Sequence, residues 1–285
     1  MDEAPTLLNL VRRSGAYLVE RGITNGRREA EWIFCYALDC ERLQLFTEFD
    51  RLLDGEEVAR LRQLVQRRGR REPLAYILGT QPFCGLELQV SPAVLVPRPE
   101  TEELVALVAG EALAQGEGAR LLDVGTGSGA IALALAAALP QAEVWGVDIS
   151  AEALACAQAN GEALGARVRF AASDLLLHAP GPWQVIVANL PYVGEDERAR
   201  CDPELAFEPA LALFSGPEGL DAMARLLGQL AAALAEEGVC WLEHGDTQGA
   251  ALARLVQSHG FASRTVTDSA ERDRFTRVWR PAGGP

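Results

Sequence analysis

The chain reads as an α/β protein: a mainly parallel sheet with helices on both faces, preceded by a small all-helical domain and a β-hairpin linker. Three observations predict this. Between Arg120 and Phe261, short apolar runs alternate with Ala/Leu-rich stretches, a pattern that sets parallel strands between crossover helices. The first of those runs leads straight into a glycine-rich turn. The opening residues, 1–76, carry helical spacing only. A length of 285 residues accommodates one large domain and a small one, and a hydrophobic fraction of 49% argues against a disordered chain.

Taken in order, Leu7, Leu10, Val11 and Leu18 share one helix face, and Ala30, Ile33, Phe34, Ala37 and Leu38 share another. Asp54, with Glu57 three residues later, has the pattern of a capping box ahead of a third helix. That helix ends in Arg67-Arg68-Gly69-Arg70-Arg71. The run reads either as a docking patch for an acidic or phosphate-bearing partner or, the preferred reading, as a solvated face favoured by the helix dipole. Residues 77–97 change character: Gly79, Pro82, Gly85 and Pro92 punctuate short runs, and Leu86–Val90 alternates like a hairpin strand. This segment is the expected linker, with the α/β domain occupying 98–285. Pro97-Arg98-Pro99-Glu100-Thr101-Glu102 then opens a helix that Thr101 or Glu100 is expected to cap. Strands follow near 120–124, 143–147, 167–171, 184–188 and 238–242, with helices between them. Two more are expected at 262–266 and 275–279, the last antiparallel, before a Pro/Gly tail beyond Arg280.

Charge and composition remove several function classes. A net charge of −14 argues against broad nucleic-acid binding. No apolar stretch is long enough to cross a membrane, and Met1-Asp2-Glu3-Ala4 lacks the features of a signal peptide. Six scattered cysteines without a C-x-x-C are expected as reduced thiols, and three histidines, His178, His244 and His259, offer no metal-ligand spacing. A cytoplasmic, monomeric, metal-free protein is the expectation.

Chemistry enters at two places. Leu121-Leu122-Asp123-Val124 runs into Gly125-Thr126-Gly127-Ser128-Gly129 and a helix. Glycines there permit a tight turn and close approach to a ligand, and the helix start offers free N–H groups. Asp148 ends the next strand, placed to accept both hydroxyls of a ribose. The same glycines fit a nicotinamide dinucleotide pattern, so a dehydrogenase stays in view. Asp123, suited to organising the loop, and the polar Ser173-Asp174-Leu175, where an adenine can rest, favour S-adenosylmethionine instead. The second place is Asn189-Leu190-Pro191-Tyr192, after the apolar run Val185–Ala188. The Asn189 side-chain oxygen and the Leu190 carbonyl can each accept one N–H of a planar NH2 group. The Tyr192 ring can pack against that group, and Pro191 stiffens the turn. The chemistry read from these residues is methyl transfer to an amide or amino nitrogen, driven by orientation and fixed dipoles.

These two motifs, with Pro73–Gly79, Phe83 and Gly85, Leu95–Glu102, Phe207-Glu208-Pro209, Ala212-Leu213, Gly216, Leu242-Glu243-His244-Gly245 and Gln248, make the whole chain similar to the protein-(glutamine-N5) methyltransferases of peptide chain release factors. That family has the Rossmann-like class I methyltransferase fold. The resemblance implies cofactor contacts from Gly125, Thr126, Gly127, Ser128, Gly129, Asp148, Leu175 and Asn189, with S-adenosylmethionine as cofactor. It implies that Asn189, Leu190, Pro191 and Tyr192 receive the glutamine of a Gly-Gly-Gln loop, and that the helical domain, 1–76, docks the release factor. The family has Pro at the second tetrad position; here it is Leu190, which keeps the backbone carbonyl and loosens the turn. Relatives often carry an aromatic at position 175. Competing readings are a glutamine methyltransferase of a ribosomal protein, an amino-methyltransferase of adenine or cytosine, and an inactive cofactor-binding relic.

Overall fold

Helical spacing in the first eighty residues is satisfied by helices that bury their apolar faces against one another. The computed structural model describes residues 6–116, 118–179 and 181–281; Met1–Ala4 and the tail beyond Pro281 lie outside them. The chain forms two compact units, one running to Thr80 and including Asp202–Phe207, the other built from Gln81–Cys201 and from Glu208 onward.

The first unit contains α1 (Leu7–Glu20), α2 (Gly26–Leu38), the short α3 (Gln44–Thr47), α4 (Gly55–Gly69) and α5 (Leu74–Leu78). Leu7, Val11 and Leu18 of α1 meet Ala30, Ile33, Phe34 and Ala37 of α2 and Leu61, Leu64 and Val65 of α4 in one buried cluster; Leu10 and Leu38 pack at its margin. Each buried Val, Leu, Ile or Phe side chain contributes roughly 1.5–3 kcal/mol. Asp54 caps α4 as expected: its Oδ1 accepts from the amides of Glu56 (2.9 Å) and Glu57 (2.8 Å), and Glu57 Oε2 accepts from the Asp54 amide at 3.0 Å. The arginine run corrects both sequence readings. Arg68 is buried, and its guanidinium bonds Glu29 and, at 2.9 Å, Glu204. Arg71 also holds Glu204, and Arg67 is paired with Glu72. Only Arg70 of the four arginines is exposed. The run is therefore largely an internal ion-pair network that binds Asp202–Phe207 into the helical unit. Arg68→Ala strips a guanidinium from two partly shielded carboxylates and is expected to cost about 2–3 kcal/mol after discounting for their contact with water. A thermal melt showing no shift would contradict this role.

The second unit opens with the hairpin β1 (Thr80–Phe83) and β2 (Leu86–Gln89). Its two-residue turn, Cys84-Gly85, has positive φ at both positions (48° and 76°), the twist that suits paired antiparallel strands. Helix α6 (Pro99–Gln115) follows, with Pro99 in its first turn. Neither Thr101 nor Glu100 caps it, contrary to the sequence expectation: Arg98 is the capping residue and makes no side-chain cap bond. Then come β3 (Arg120–Val124), α7 (Ala130–Ala138), β4 (Glu143–Asp148), α8 (Ala151–Ala163), β5 (Val168–Ala172), β6 (Trp183–Ala188), α9 (Ala210–Leu213), α10 (Asp221–Ala233), β7 (Leu234–Glu243), α11 (Gly249–Ser258), β8 (Ala262–Thr267) and β9 (Asp273–Trp279). The described residues between β5 and β6 form turns rather than the expected helix.

The seven strands lie in the order β5-β4-β3-β6-β7-β9-β8. The first five pair in parallel, and β9 inserts antiparallel between β7 and β8. Consecutive residues of the inner strands feed opposite faces. Leu121, Val185 and Val187 enter a cluster with Leu104, Val108 and Leu135, while Leu122, Ile186 and Ala188 enter one with Leu226, Leu230 and Leu252. The chain order reverses between β3 and β6, so the crevice beyond their carboxyl ends is the natural ligand site of such a sheet.

Candidate active site

Because β3, β4 and β6 are neighbours, the loops leaving their carboxyl ends converge. The β3 loop is shaped by glycine: Gly125 and Gly127 have φ of 73° and 56°, where other residues are strained. A Cβ on Gly125 would lie 3.1 Å from Leu190 Cδ2, so the glycine lets the two loops approach. The Gly125 and Thr126 amides donate to the Val147 carbonyl at 2.8 and 2.9 Å. Asp148 ties the loops together, with Oδ2 accepting from the Gly127 amide and Oδ1 from the Ser150 amide, both at 2.9 Å. Each oxygen keeps a lone pair for an outside donor.

Asp123 does organise the loop. Its Oδ2 accepts from the Thr126 hydroxyl at 2.6 Å and from the Ala132 amide at 3.2 Å, while its buried Oδ1 has no partner among the described residues. Burial pushes its pKa up to about 7.

The β6 tetrad is fixed from several sides. Asn189 Nδ2 donates to Thr101 Oγ1 at 3.1 Å, and the Thr101 hydroxyl donates to Glu243 Oε2 at 2.9 Å. Thr101 and Glu243 are buried. Among the described residues Asn189 Oδ1 accepts nothing, leaving it free for a ligand N–H. Leu190 is buried. The Tyr192 hydroxyl lies 3.4 Å from Glu243 Oε1, and burial, with the Glu243 charge, raises its pKa. Gln248 Nε2 donates to the Tyr192 carbonyl at 2.8 Å and its Oε1 accepts from the Gly245 amide at 2.8 Å. Glu208 accepts from the Val96 amide at 3.1 Å and pairs with Arg98, so the segment after the tetrad is tied to the one that precedes α6.

One cleft, with roughly 1180 Å³ of free space open to solvent, collects these loops. Of the residues singled out in the sequence, Gly125, Thr126, Gly127, Ser128, Asp148, Leu175, Asn189, Leu190 and Pro191 line it. Gly129 lies buried behind it at the start of α7, and Tyr192 turns its hydroxyl toward Glu243. Ile149, Leu211 and Arg225 also line the cleft and were not anticipated. Ile149 and Leu211 are apolar yet mostly exposed, as suits walls that a flat ligand would cover. In the sequence Thr101 reads only as a helix cap within its motif and Glu243 only as part of a motif. An acid ending the apolar run Val239–Leu242 was the available signal.

Two family models match the chain, a PrmC N-terminal domain over residues 9–79 and a methyltransferase small domain over 106–205. The chain is 37% identical to the release factor glutamine methyltransferase of Deinococcus radiodurans, across 98% of this chain and 99% of that protein. It is 36% identical to the release factor glutamine methyltransferase of Rhodospirillum rubrum, across 100% of this chain and 88% of that one. Among solved structures, a methyltransferase from Pyrococcus furiosus superposes with a TM-score of 0.51 at 18% identity, covering 68% of this chain and 88% of its own. That likeness speaks to the fold.

Proposed function

The chain belongs to the release factor glutamine methyltransferase family, and from that membership we propose that it methylates the side-chain amide nitrogen (N5) of the glutamine in the Gly-Gly-Gln motif of peptide chain release factors. The observation that carries the reading is Asn189, its Nδ2 committed to Thr101 and its Oδ1 without a partner among the described residues, lining the same cleft as the glycine loop. S-adenosylmethionine, the methyl donor of this enzyme class, supplies an electrophilic sulfonium methyl group when bound. The residues present fit it. Asp148 offers carboxylate lone pairs for ribose hydroxyls, Gly125–Ser128 offer a cradle without obstructing side chains, and Ile149 and Leu175 offer apolar cover for a purine.

The chain's own work is orientation. An amide nitrogen is a weak nucleophile because its lone pair is shared with the carbonyl. Asn189 Oδ1 accepts one substrate N–H and the Leu190 carbonyl the other, which fixes the nitrogen in line and stabilises the positive charge that develops. Once the nitrogen is alkylated its proton is acidic and leaves to water, so no strong base is needed. We assign the finer roles by the same reading: residues 1–76 to docking the release factor, 77–97 to linking the two domains, and 98–285 to the catalytic domain. We read the protein as a cytoplasmic monomer that takes no nucleic-acid substrate, in keeping with a translation factor as substrate and a net charge of −14.

The test incubates pure enzyme with labelled S-adenosylmethionine and a release factor, ribosomal proteins or DNA. Label on the Gly-Gly-Gln glutamine supports the proposal. Label confined to ribosomal protein or nucleic acid overturns it. A second expectation concerns the departure at position 190. Leu190→Pro keeps the carbonyl acceptor and stiffens the turn, so kcat should hold within about threefold or rise. Loss of buried side-chain carbon should meanwhile lower Tm by a few degrees. A large fall in kcat with the fold intact would remove the Leu190 carbonyl from its assigned role.

A further inference from the structure

We propose that Thr101 and Glu243 are positioning residues: the Glu243 carboxylate dictates the direction of the Thr101 hydroxyl and so turns the Asn189 amide with its oxygen, rather than its nitrogen, toward the substrate. The inference deepens the glutamine-methylation reading and rests on it.

An ionised carboxylate only accepts hydrogen bonds. Glu243 Oε2 lies 2.9 Å from Thr101 Oγ1, so the single hydroxyl proton of Thr101 is committed to it. The hydroxyl oxygen then has only lone pairs for its other neighbour, at 3.1 Å, which must be a donor: Asn189 Nδ2. The terminal torsion of an asparagine amide is roughly two-fold, so without that constraint both orientations are accessible. Only one is productive. A substrate amide brings two N–H donors and needs Oδ1; the flipped side chain would set donor against donor. The three groups sit on rigid supports, Thr101 in the first turn of α6, Asn189 after β6 and Glu243 at the end of β7, which suits precise positioning. The same carboxylate also faces the Tyr192 hydroxyl, so one buried charge addresses both polar side chains of the tetrad.

The arrangement carries a pH signature. Glu243 is faced by Tyr192, by Glu100 on α6 and by Arg274 on β9. Next to it, His244 is occupied with Thr276 and the Gly245 carbonyl. Burial pushes the Glu243 pKa up to about 7. Above that pH the carboxylate is ionised and the relay points the productive way. Below it, a protonated Glu243 can donate to Thr101, whose own proton is then free to point at Asn189 and favour the flipped amide. Turnover therefore rises with pH through about 7, and does so through Thr101.

The experiment uses the full chain with a release factor as acceptor. It measures kcat, both KM values, calorimetric S-adenosylmethionine affinity and Tm from about pH 6 to 9 for the wild type, Thr101→Val, Thr101→Ser and Glu243→Gln. Thr101→Val is isosteric and is expected to lower kcat about tenfold or more, with both KM values and cofactor affinity within about threefold. Thr101→Ser should recover to within about threefold, and Thr101→Val and Glu243→Gln should both flatten the limb near pH 7. The proposal is overturned if Thr101→Val keeps kcat within about twofold, if Thr101→Ser is no better than Thr101→Val, or if the limb survives in both flattening candidates. A merely structural role would show as lost cofactor affinity and lowered Tm without rescue by serine, and also overturns it. Label moving to a different acceptor would fell the substrate reading alone; the variant ratios are then read on that acceptor.

Discussion

Replacing Asn189 with alanine is expected to abolish turnover, by about a thousandfold, while leaving S-adenosylmethionine affinity within about threefold. The Asn189 oxygen has no acceptor duty elsewhere in the described protein, and its nitrogen is spent on Thr101. Truncation therefore removes one of the two acceptors proposed for the reacting amide and little else. The loss falls on kcat because the contact matters most as the nitrogen becomes positive, when a preorganised dipole is worth far more than in the ground state. Single-turnover transfer with saturating cofactor, beside calorimetric binding of the cofactor alone, separates the two quantities. An Asn189→Ala enzyme within tenfold of wild type would mean that the substrate amide is held by something else.

Asp148→Ala should do the opposite. The carboxylate accepts from the Gly127 and Ser150 amides, so it both shapes the glycine loop and presents charge to the cleft. Two charge-assisted bonds to ribose hydroxyls and a looser loop together amount to about 3 kcal/mol, or roughly a hundredfold in cofactor affinity. The loss should appear as a raised KM for S-adenosylmethionine, with kcat largely recovered at saturation. An unchanged cofactor affinity would displace Asp148 from the ribose role and reopen the choice of cofactor pose.

The sheet was legible because its inner strands are buried on both faces and read as continuous apolar runs. Val185–Ala188 is such a run and Leu121–Val124 is one interrupted only by Asp123; each is followed by a residue type, glycine or asparagine, that suits a ligand loop. The last strand was legible from a weaker signal, Phe275, Val278 and Trp279 spaced along a short segment near the end of the chain. What escaped depends on partners distant in sequence. Arg68 reads as one more charge on a solvated helix end until Glu204, 136 residues away, is seen to bind it. Thr101 reads as a helix cap because threonines before acidic residues commonly are; its real partner, Glu243, is 142 residues off. Local chemistry predicts local contacts, and both of these are long-range. The missing helix between β5 and β6 has another cause. Asp174–His178 is too short and too near Pro182 to build one, and Leu175 adopts a left-handed φ of 55°.

The central claim is geometric: one carboxamide, both its hydrogens captured, nitrogen aimed at the donor's methyl carbon. It is tested most directly by a crystal structure of the chain with a Gly-Gly-Gln segment and an inert analogue of S-adenosylmethionine. The expected result is a glutamine nitrogen about 3 Å from both Asn189 Oδ1 and the Leu190 carbonyl oxygen, in line with the position of the transferable carbon. A glutamine bound with its oxygen toward Asn189, or a donor carbon beyond about 5 Å from that nitrogen in a closed complex, would contradict it.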